Sequence, residues 1–390
     1  MLTFAAPYLE VEDTSARVLC RFEDDKRKGV IFFDVPSEYS AFLCDKRSDA
    51  YVIAALPYAM RTRQDIICDA PVTEDLLFQI ETELVPAMTK KSSLYPTTVF
   101  ADVAPSLPKK SSIDQRTGKK ETGAVGAGFS LGVDSFYAVE TLRNDRFPSQ
   151  QLTHLAQHDV GASNVCYWRF GHAAARDALY DRSRKCAVEL GIPLLQTKSN
   201  LEVCLPGDFE LTATFNNIFA VYCMQEFWRT YHLGSHGCGL LPLAFDDMDS
   251  RYTSFYDILT LECLSTPGLR LYSSGMSETC LEKIWAFAHL KEAQKYLHVC
   301  TAESSNCMNC GECKRTLICL DILGCLDLFS GVFDVDYYRE HRLEYLAWLC
   351  DRVDQKNSYD PLIYESIYDA LYEKEKDTVL QIKRALGSIK

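Results

Sequence analysis

The chain lacks any stretch of about 18 uninterrupted apolar residues, so no membrane span is expected. Its start, MLTFAAPYLEVED, lacks a basic segment ahead of an apolar one and turns acidic quickly, which excludes the secretory-signal pattern. Positive charge is in deficit: 41 Lys and Arg stand against 54 Asp and Glu, a formal charge of -13. That balance disfavours broad nonspecific binding to nucleic acid and leaves room only for a local basic groove. No internal repeat is present. Two phosphate-binding patterns are missing as well. No glycine-rich loop ends in Lys followed by Ser or Thr, and the dinucleotide fingerprint that Gly126 and Gly128 begin would need glycine where Leu131 stands.

Cysteine, by contrast, is abundant. Seventeen cysteines in 390 residues without a secretory signal read as reduced thiols of a cytoplasmic protein, not as a disulfide framework. Cys186, Cys223 and Cys319 fall in apolar helical stretches and read as small core residues. Four others form a pattern, C-T-A-E-S-S-N-C-M-N-C-G-E-C, with thiols at Cys300, Cys307, Cys310 and Cys313. Two overlapping Cys-x-x-Cys steps bring three thiolates into one tight loop, and Cys300 completes a tetrahedral shell. A closed four-sulfur shell leaves no open position for a substrate, so the metal reads as a structural staple. Zn2+ is the default ion; an iron–sulfur cluster takes the same ligand set.

Hydrophobic residues at 47% and charged residues at 24% are ordinary globular values, and the length suffices for two or three domains. Residues 1–107 read as a small α+β domain, with β-branched and aromatic runs at 16–22, 30–35 and 50–56 and a helical segment at 74–85. Residues 108–123, PKKSSIDQRTGKKETG, are polar, carry several lysines and lack apolar periodicity, which predicts a linker. From residue 124 strands and helices alternate. Strands are expected at 124–129, 152–157, 193–198 and 231–235, and helices at 133–143, 172–190 and 212–230. Such alternation predicts an α/β fold whose parallel sheet is covered on both faces, over residues 124–333. Residues 334–390 carry helical periodicity and read as a C-terminal helical extension.

The first strand runs into Ser130-Leu131-Gly132-Val133-Asp134-Ser135 and then a helix. A turn that delivers backbone N–H groups and hydroxyls to a helix N-terminus cradles anions, aided by the partial positive charge there. Gly132 lets the backbone approach a phosphate closely. Ser130 and Ser135 add donors, and Asp134 either caps the helix or holds Mg2+. An ordinary strand–turn–helix with a Ser/Asp cap is the structural alternative.

The sequence S-L-G-V-D-S resembles the S-G-G-x-D-S pyrophosphate loop of the PP-loop ATP pyrophosphatases, whose fold is of the HUP-like parallel-sheet class. Pairing that loop with a downstream C-G-E-C knuckle is similar to 7-cyano-7-deazaguanine synthase and its QueC-like relatives, and the resemblance covers residues 124–325. It implies splitting of ATP between its α- and β-phosphates, adenylation of a substrate carbonyl or carboxylate, and attack by a nitrogen nucleophile. It further implies that Ser130, Leu131, Gly132, Val133, Asp134 and Ser135 hold the pyrophosphate and Mg2+, and that the strand tip at Gln157, His158 and Asp159 lies beside the adenine. Cys300, Cys307, Cys310 and Cys313 match the zinc ligands. Lys198 after the third strand, His236 after the fourth, and Asp246, Asp247, Asp249 and Arg251 beyond it fall at the sheet's carboxyl edge, where ligands of open α/β folds collect. His158 and Asp159 are candidates for an acid–base couple, and Arg315 for a phosphate or carboxylate contact or an ion pair with Glu312.

The chain departs from the family pattern in three places. Leu131 replaces the second loop glycine, Asp208-Phe209-Glu210 stands where an Arg-Asn pair is found, and the lysine expected near S-G-M-S-E-T-C is missing, with Lys283 further along. The acceptor is accordingly left open among small molecules, modified bases, peptides and proteins, with nucleic acid undecided and residues 1–107 a candidate surface for a second copy or a partner protein. Sulfur transfer through Cys166, Cys204, Cys238 or Cys263 is the rival chemistry, and a noncatalytic nucleotide-binding scaffold is the alternative of a different class.

Overall fold

The computed structural model of the chain describes residues 1–90, 94–109, 123–161, 173–234, 257–354 and 360–387. The expected linker therefore falls almost wholly outside the described residues, as do Cys166, His236, Cys238, Asp246, Asp247, Asp249 and Arg251.

The N-terminal residues form strands β1 (Leu2–Phe4), β2 (Tyr8–Val11), β3 (Ser15–Glu23) and β4 (Lys28–Pro36), helix α1 (Asp49–Thr62), and strands β5 (Ile66–Cys68) and β6 (Val72–Thr73). Helices α2 (Glu74–Gln79) and α3 (Val85–Lys90), joined by a π-turn, and strands β7 (Val99–Phe100) and β8 (Val103–Ala104) complete this part. β3 and β4 pair along their full lengths as an antiparallel hairpin, whose turn is closed by Asp24 accepting the Lys26 and Arg27 amides at 2.7 and 2.6 Å. Residues 50–56, expected as an extended run, are instead the interior of α1. Every residue from Asp49 to Met60 is buried. A helix covered on all sides shows no 3.6-residue stripe, and its β-branched content then reads as strand.

The second part alternates as expected: β9 (Ala124–Gly128), α4 (Val133–Arg143), β10 (His154–Asp159), α5 (Ala173–Leu190), β11 (Leu194–Ser199), α6 (Leu201–Cys204), α7 (Phe209–Cys223) and β12 (Trp228–Gly234). The helix expected over 212–230 stops at Cys223. Residues 224–227, which separate it from β12, contain neither glycine nor proline, so no breaker marks the boundary. Beyond lie α8 (Asp257–Cys263), β13 (Arg270–Ser274), α9 (Cys280–Phe287), α10 (Lys291–Tyr296), α11 (Gly311–Ile322), α12 (Val335–Asp354) and α13 (Asp360–Ala385).

One sheet runs through both parts in the order β13-β12-β9-β10-β11-β4-β3-β1-β5-β7, with β2 also on β3. Its five strands β9 to β13 are mutually parallel. β4 joins antiparallel to β11, with Asp34 opposite Lys198. The N-terminal residues thus share a sheet with the parallel strands, and they share a core too: Tyr51 of α1, Phe33 of β4, Leu195, Ala156, Tyr231 and Phe219 of α7 belong to one buried cluster. A second cluster joins Ala127 and Leu155 with Val139 of α4, Cys186 of α5, Ile284 of α9, Leu317 of α11, Leu346 of α12 and Ile367 of α13. Helices thus cover the parallel strands on both faces. Among the described residues, no helix is long and apolar enough to cross a membrane.

The strand order positions the site. From β9 the chain goes to β10 and β11 on one side, then returns to lay β12 and β13 on the other. The crevice between β9 and β12 is therefore a topological switch point, where crossovers diverge and leave the carboxyl edge open.

Candidate functional site

The bend of residues 130–135 stands at that switch point, between the end of β9 and the first turn of α4. Its geometry is held from within. The Ser130 amide donates to Ser135 Oγ at 2.9 Å, the two hydroxyls lie 3.0 Å apart, and the Gly132 amide donates to Ser130 Oγ at 3.3 Å. Ser130 is exposed and Ser135 buried, so one hydroxyl faces the open edge while the other braces the turn. Leu131 adopts a left-handed backbone with φ of 66°, a conformation that costs a non-glycine residue about 1–2 kcal/mol. Its side chain is fully buried in the second core cluster. Its carbonyl accepts the His298 amide at 2.9 Å, so the segment leading into the cysteine knuckle holds the bend.

Asp134 does not cap α4. Gly132 is the N-cap residue and no side chain caps this helix. Instead Asp134 Oδ1 accepts a bond from Lys283 Nζ at 2.7 Å. The two side chains differ sharply in exposure, 1% for Lys283 and 34% for Asp134, so a buried ammonium is neutralised by a carboxylate facing the crevice. Removing one member of such a pair leaves an uncompensated buried charge, which costs about 3–5 kcal/mol. Two glycines make room for it. A Cβ on Gly234, at the end of β12, would stand 2.7 Å from Asp134 Cβ, and one on Gly275, after β13, would stand 2.8 Å from Lys283 Cε. The ends of three adjacent parallel strands thereby converge on the pair.

Lys283 stands beyond the position where the family pattern places its lysine, so the motif does not single it out. A signal was present: Cys280, Lys283, Ile284 and Phe287 fall at i, i+3, i+4 and i+7, and a lysine on an otherwise apolar stripe needs a buried partner.

The other expected residues lie further along the edge. Gln157 donates to Ser183 Oγ at 3.1 Å and accepts from Gln196 at 2.9 Å, so its amide is engaged in packing β10 and β11 against α5. Lys198 is exposed on β11, two strands or about 10 Å across the sheet from β9. His158 and Asp159 do not form the expected couple, because consecutive side chains of a strand leave opposite faces. His158 turns to the first core cluster, where Nδ1 lies 2.8 Å from Thr197 Oγ1 and the ring stacks on Tyr231. Burial holds its imidazole down at about 3, a neutral ring at physiological pH. Asp159 turns to the other face, 3.4 Å from Arg176. Burial raises its carboxyl to about 7 against the opposing pull of Arg176 and Lys198.

The cysteine knuckle assembles as its spacing predicts. The Sγ atoms of Cys300, Cys307, Cys310 and Cys313 all lie within 4.8 Å of one another. The Cys300 and Cys310 sulfurs are 3.9 Å apart, close to the roughly 3.8 Å edge of a tetrahedron with 2.3 Å metal–sulfur bonds. Backbone amides of Ala302 and Glu303 point at Cys300 Sγ, and those of Asn309 and Cys310 at Cys307 Sγ, at 3.2–3.4 Å. Such N–H···S contacts favour thiolates over thiols. The four cysteines could hold one metal ion such as zinc; an iron–sulfur cluster distributes its thiolates over several irons and spreads them further apart. Asn306 ties the loop to its surroundings by accepting the Val299 amide and donating to the Leu297 and Val332 carbonyls, each at 3.0 Å.

Arg315 pairs with Glu312, the duller of its two expected roles, and its Nε has no hydrogen-bond partner. Of the cysteines considered for sulfur transfer, burial pushes Cys204 and Cys263 up, away from a reactive thiolate. Comparison with models of known protein families, with curated proteins and with solved structures finds no match to this chain.

Proposed function

We propose that the protein activates a carbonyl or carboxylate oxygen of its substrate with ATP, releasing pyrophosphate, and then passes the activated group to a nitrogen nucleophile with release of AMP, in the manner of QueC-like proteins. The observation that carries this reading is the position of the Ser130–Asp134–Ser135 bend at the switch point between β9 and β12, with Asp134 paired to Lys283. The exposed Ser130, the first amides of α4 and a buried ammonium together suit an oxyanion-rich leaving group. In this reading Ser130, Gly132 and Ser135 bind phosphate oxygens, Leu131 and Val133 contribute backbone, and Asp134 holds Mg2+. Lys283 neutralises charge as pyrophosphate departs. The chain's own contribution is positioning and charge stabilisation, as in other phosphoryl transfers. The His158 ring, neutral and turned into the core, takes no part.

Incubation with ATP and Mg2+ and a panel of carboxylate and carbonyl substrates, reading AMP and pyrophosphate, tests the proposal. Wild-type protein is expected to release both. Asp134→Ala is expected to lose pyrophosphate release by at least about a hundredfold, the scale of one lost transition-state contact, while keeping its metal. Tight ATP binding without turnover would make the protein a nucleotide-binding scaffold. AMP release that needs a sulfur donor would make it a thiolating enzyme.

A further inference from the structure

Two thiols outside the knuckle face each other beside the Asp134–Lys283 pair. Cys319 of α11 donates to Cys280 of α9 with the sulfurs 3.8 Å apart. Cys280 is the first residue of α9, behind a capping box formed by Thr279 and Glu282, and Lys283 lies one turn further along the same helix. Cys280 is half-buried and Cys319 fully buried. The helix N-terminus and the nearby Arg315 guanidinium both favour negative charge on Cys280, the less buried member. The hydrogen bond from Cys319 and the pull of Arg315 hold the Cys280 thiol below its ordinary value, against the cost of burial. The pair therefore has a less buried attacking residue and a fully buried resolving one.

We propose that Cys280 and Cys319 are a peroxide-reactive dithiol site whose disulfide ties α9 to α11 next to Lys283. The inference rests on the thiol geometry and is independent of the proposed ATP chemistry. The Cys280 thiolate attacks one oxygen of hydrogen peroxide; the O–O bond breaks, and the departing hydroxide takes up a proton to leave as water, giving a sulfenic acid. Cys319, losing its proton, attacks that sulfur and expels the hydroxyl as a second water. Both thiols are oxidised by two electrons in total, and the peroxide is reduced to two waters. The disulfide draws the sulfurs from 3.8 Å to about 2.05 Å and so fastens the first turn of α9, one turn from Lys283, to α11.

The test treats the metal-loaded, full-length protein with hydrogen peroxide at or below one equivalent, alkylates the remaining free thiols and maps the peptides by mass spectrometry. The expected product is a Cys280–Cys319 peptide pair lighter by two hydrogens and restored by dithiothreitol. Cys319→Ser is expected to accumulate a dimedone-trapped sulfenic acid at Cys280, and Cys280→Ser to leave Cys319 fully alkylatable after unfolding. The proposal is overturned if the knuckle cysteines oxidise while Cys280 and Cys319 stay alkylatable. Oxidation of Cys319 that persists in Cys280→Ser would equally overturn it. The wild-type map decides the question even where a variant fails to fold.

Discussion

His158 and Asp159 show how far two neighbouring residues can diverge once a strand sends them to opposite faces. Burial lowers the histidine to about 3 and raises the aspartate to about 7, and the two shifts act on stability with opposite signs. Between about pH 4 and 7 the folded Asp159 keeps a proton that the unfolded chain has lost, so its contribution falls as pH rises and is gone by about 7. Between about pH 3 and 6.5 the unfolded His158 binds a proton that the folded chain refuses, so its contribution rises with pH and is complete above 6.5. Each slope is at most about 1.4 kcal/mol per pH unit. Thermal midpoints measured across this range are expected to show wild type losing ground to Asp159→Asn as pH rises, and gaining on His158→Gln. Midpoints of wild type and Asp159→Asn that run parallel from pH 4 to 7 would show that Asp159 is ionised in the folded protein throughout.

At the scale of elements, the connection from β9 to α4 was the most legible part of the chain, because small apolar residues, a glycine and hydroxyls at a helix start leave few alternatives. Residue 131 is where local rule and tertiary demand part. Its left-handed backbone favours glycine, yet its side chain is buried in the core. Leu131→Gly relieves about 1–2 kcal/mol of backbone cost. It also removes a buried side chain, worth about 2–5 kcal/mol, and adds about 1 kcal/mol of lost chain entropy. Packing wins, and the substitution is expected to destabilise by about 1–5 kcal/mol in a urea titration. A variant as stable as wild type would mean that the leucine contributes strain without useful packing. What the sequence did not make legible has the same origin. Helix α1 hides its period because it is buried on every side, β12 follows α7 without a breaker, and Lys283 reaches Asp134 across 149 residues of chain. Local pattern carries no information about such long-range closure.

At the scale of the whole molecule, the knuckle and the bend are parts of one construction. The chain that bonds Leu131 through the His298 amide enters the knuckle two residues later at Cys300. On the far side, the Tyr345 hydroxyl of α12 donates to the Met308 carbonyl inside the knuckle at 2.5 Å, and α11 starts from Cys310 and carries Cys313. A metal ion held by the four thiolates would thus fasten the C-terminal helices to the carboxyl edge of the sheet, and fix the bend from behind. Structural sites of this sort supply free energy directly to folding. One ion per chain is expected by elemental analysis, with Cys310→Ser losing it. The thermal midpoint of that variant is expected to fall by at least about 5 °C, and amide exchange at His298 to quicken as its bond to Leu131 opens more often. Asp134→Ala is expected to keep its metal, since the carboxylate pairs with Lys283, whereas the metal-free protein is expected to lose order at residues 130–135. A metal-free protein with unchanged midpoint and unchanged exchange at His298 would sever the knuckle from the bend and reduce it to a local closure of its own loop.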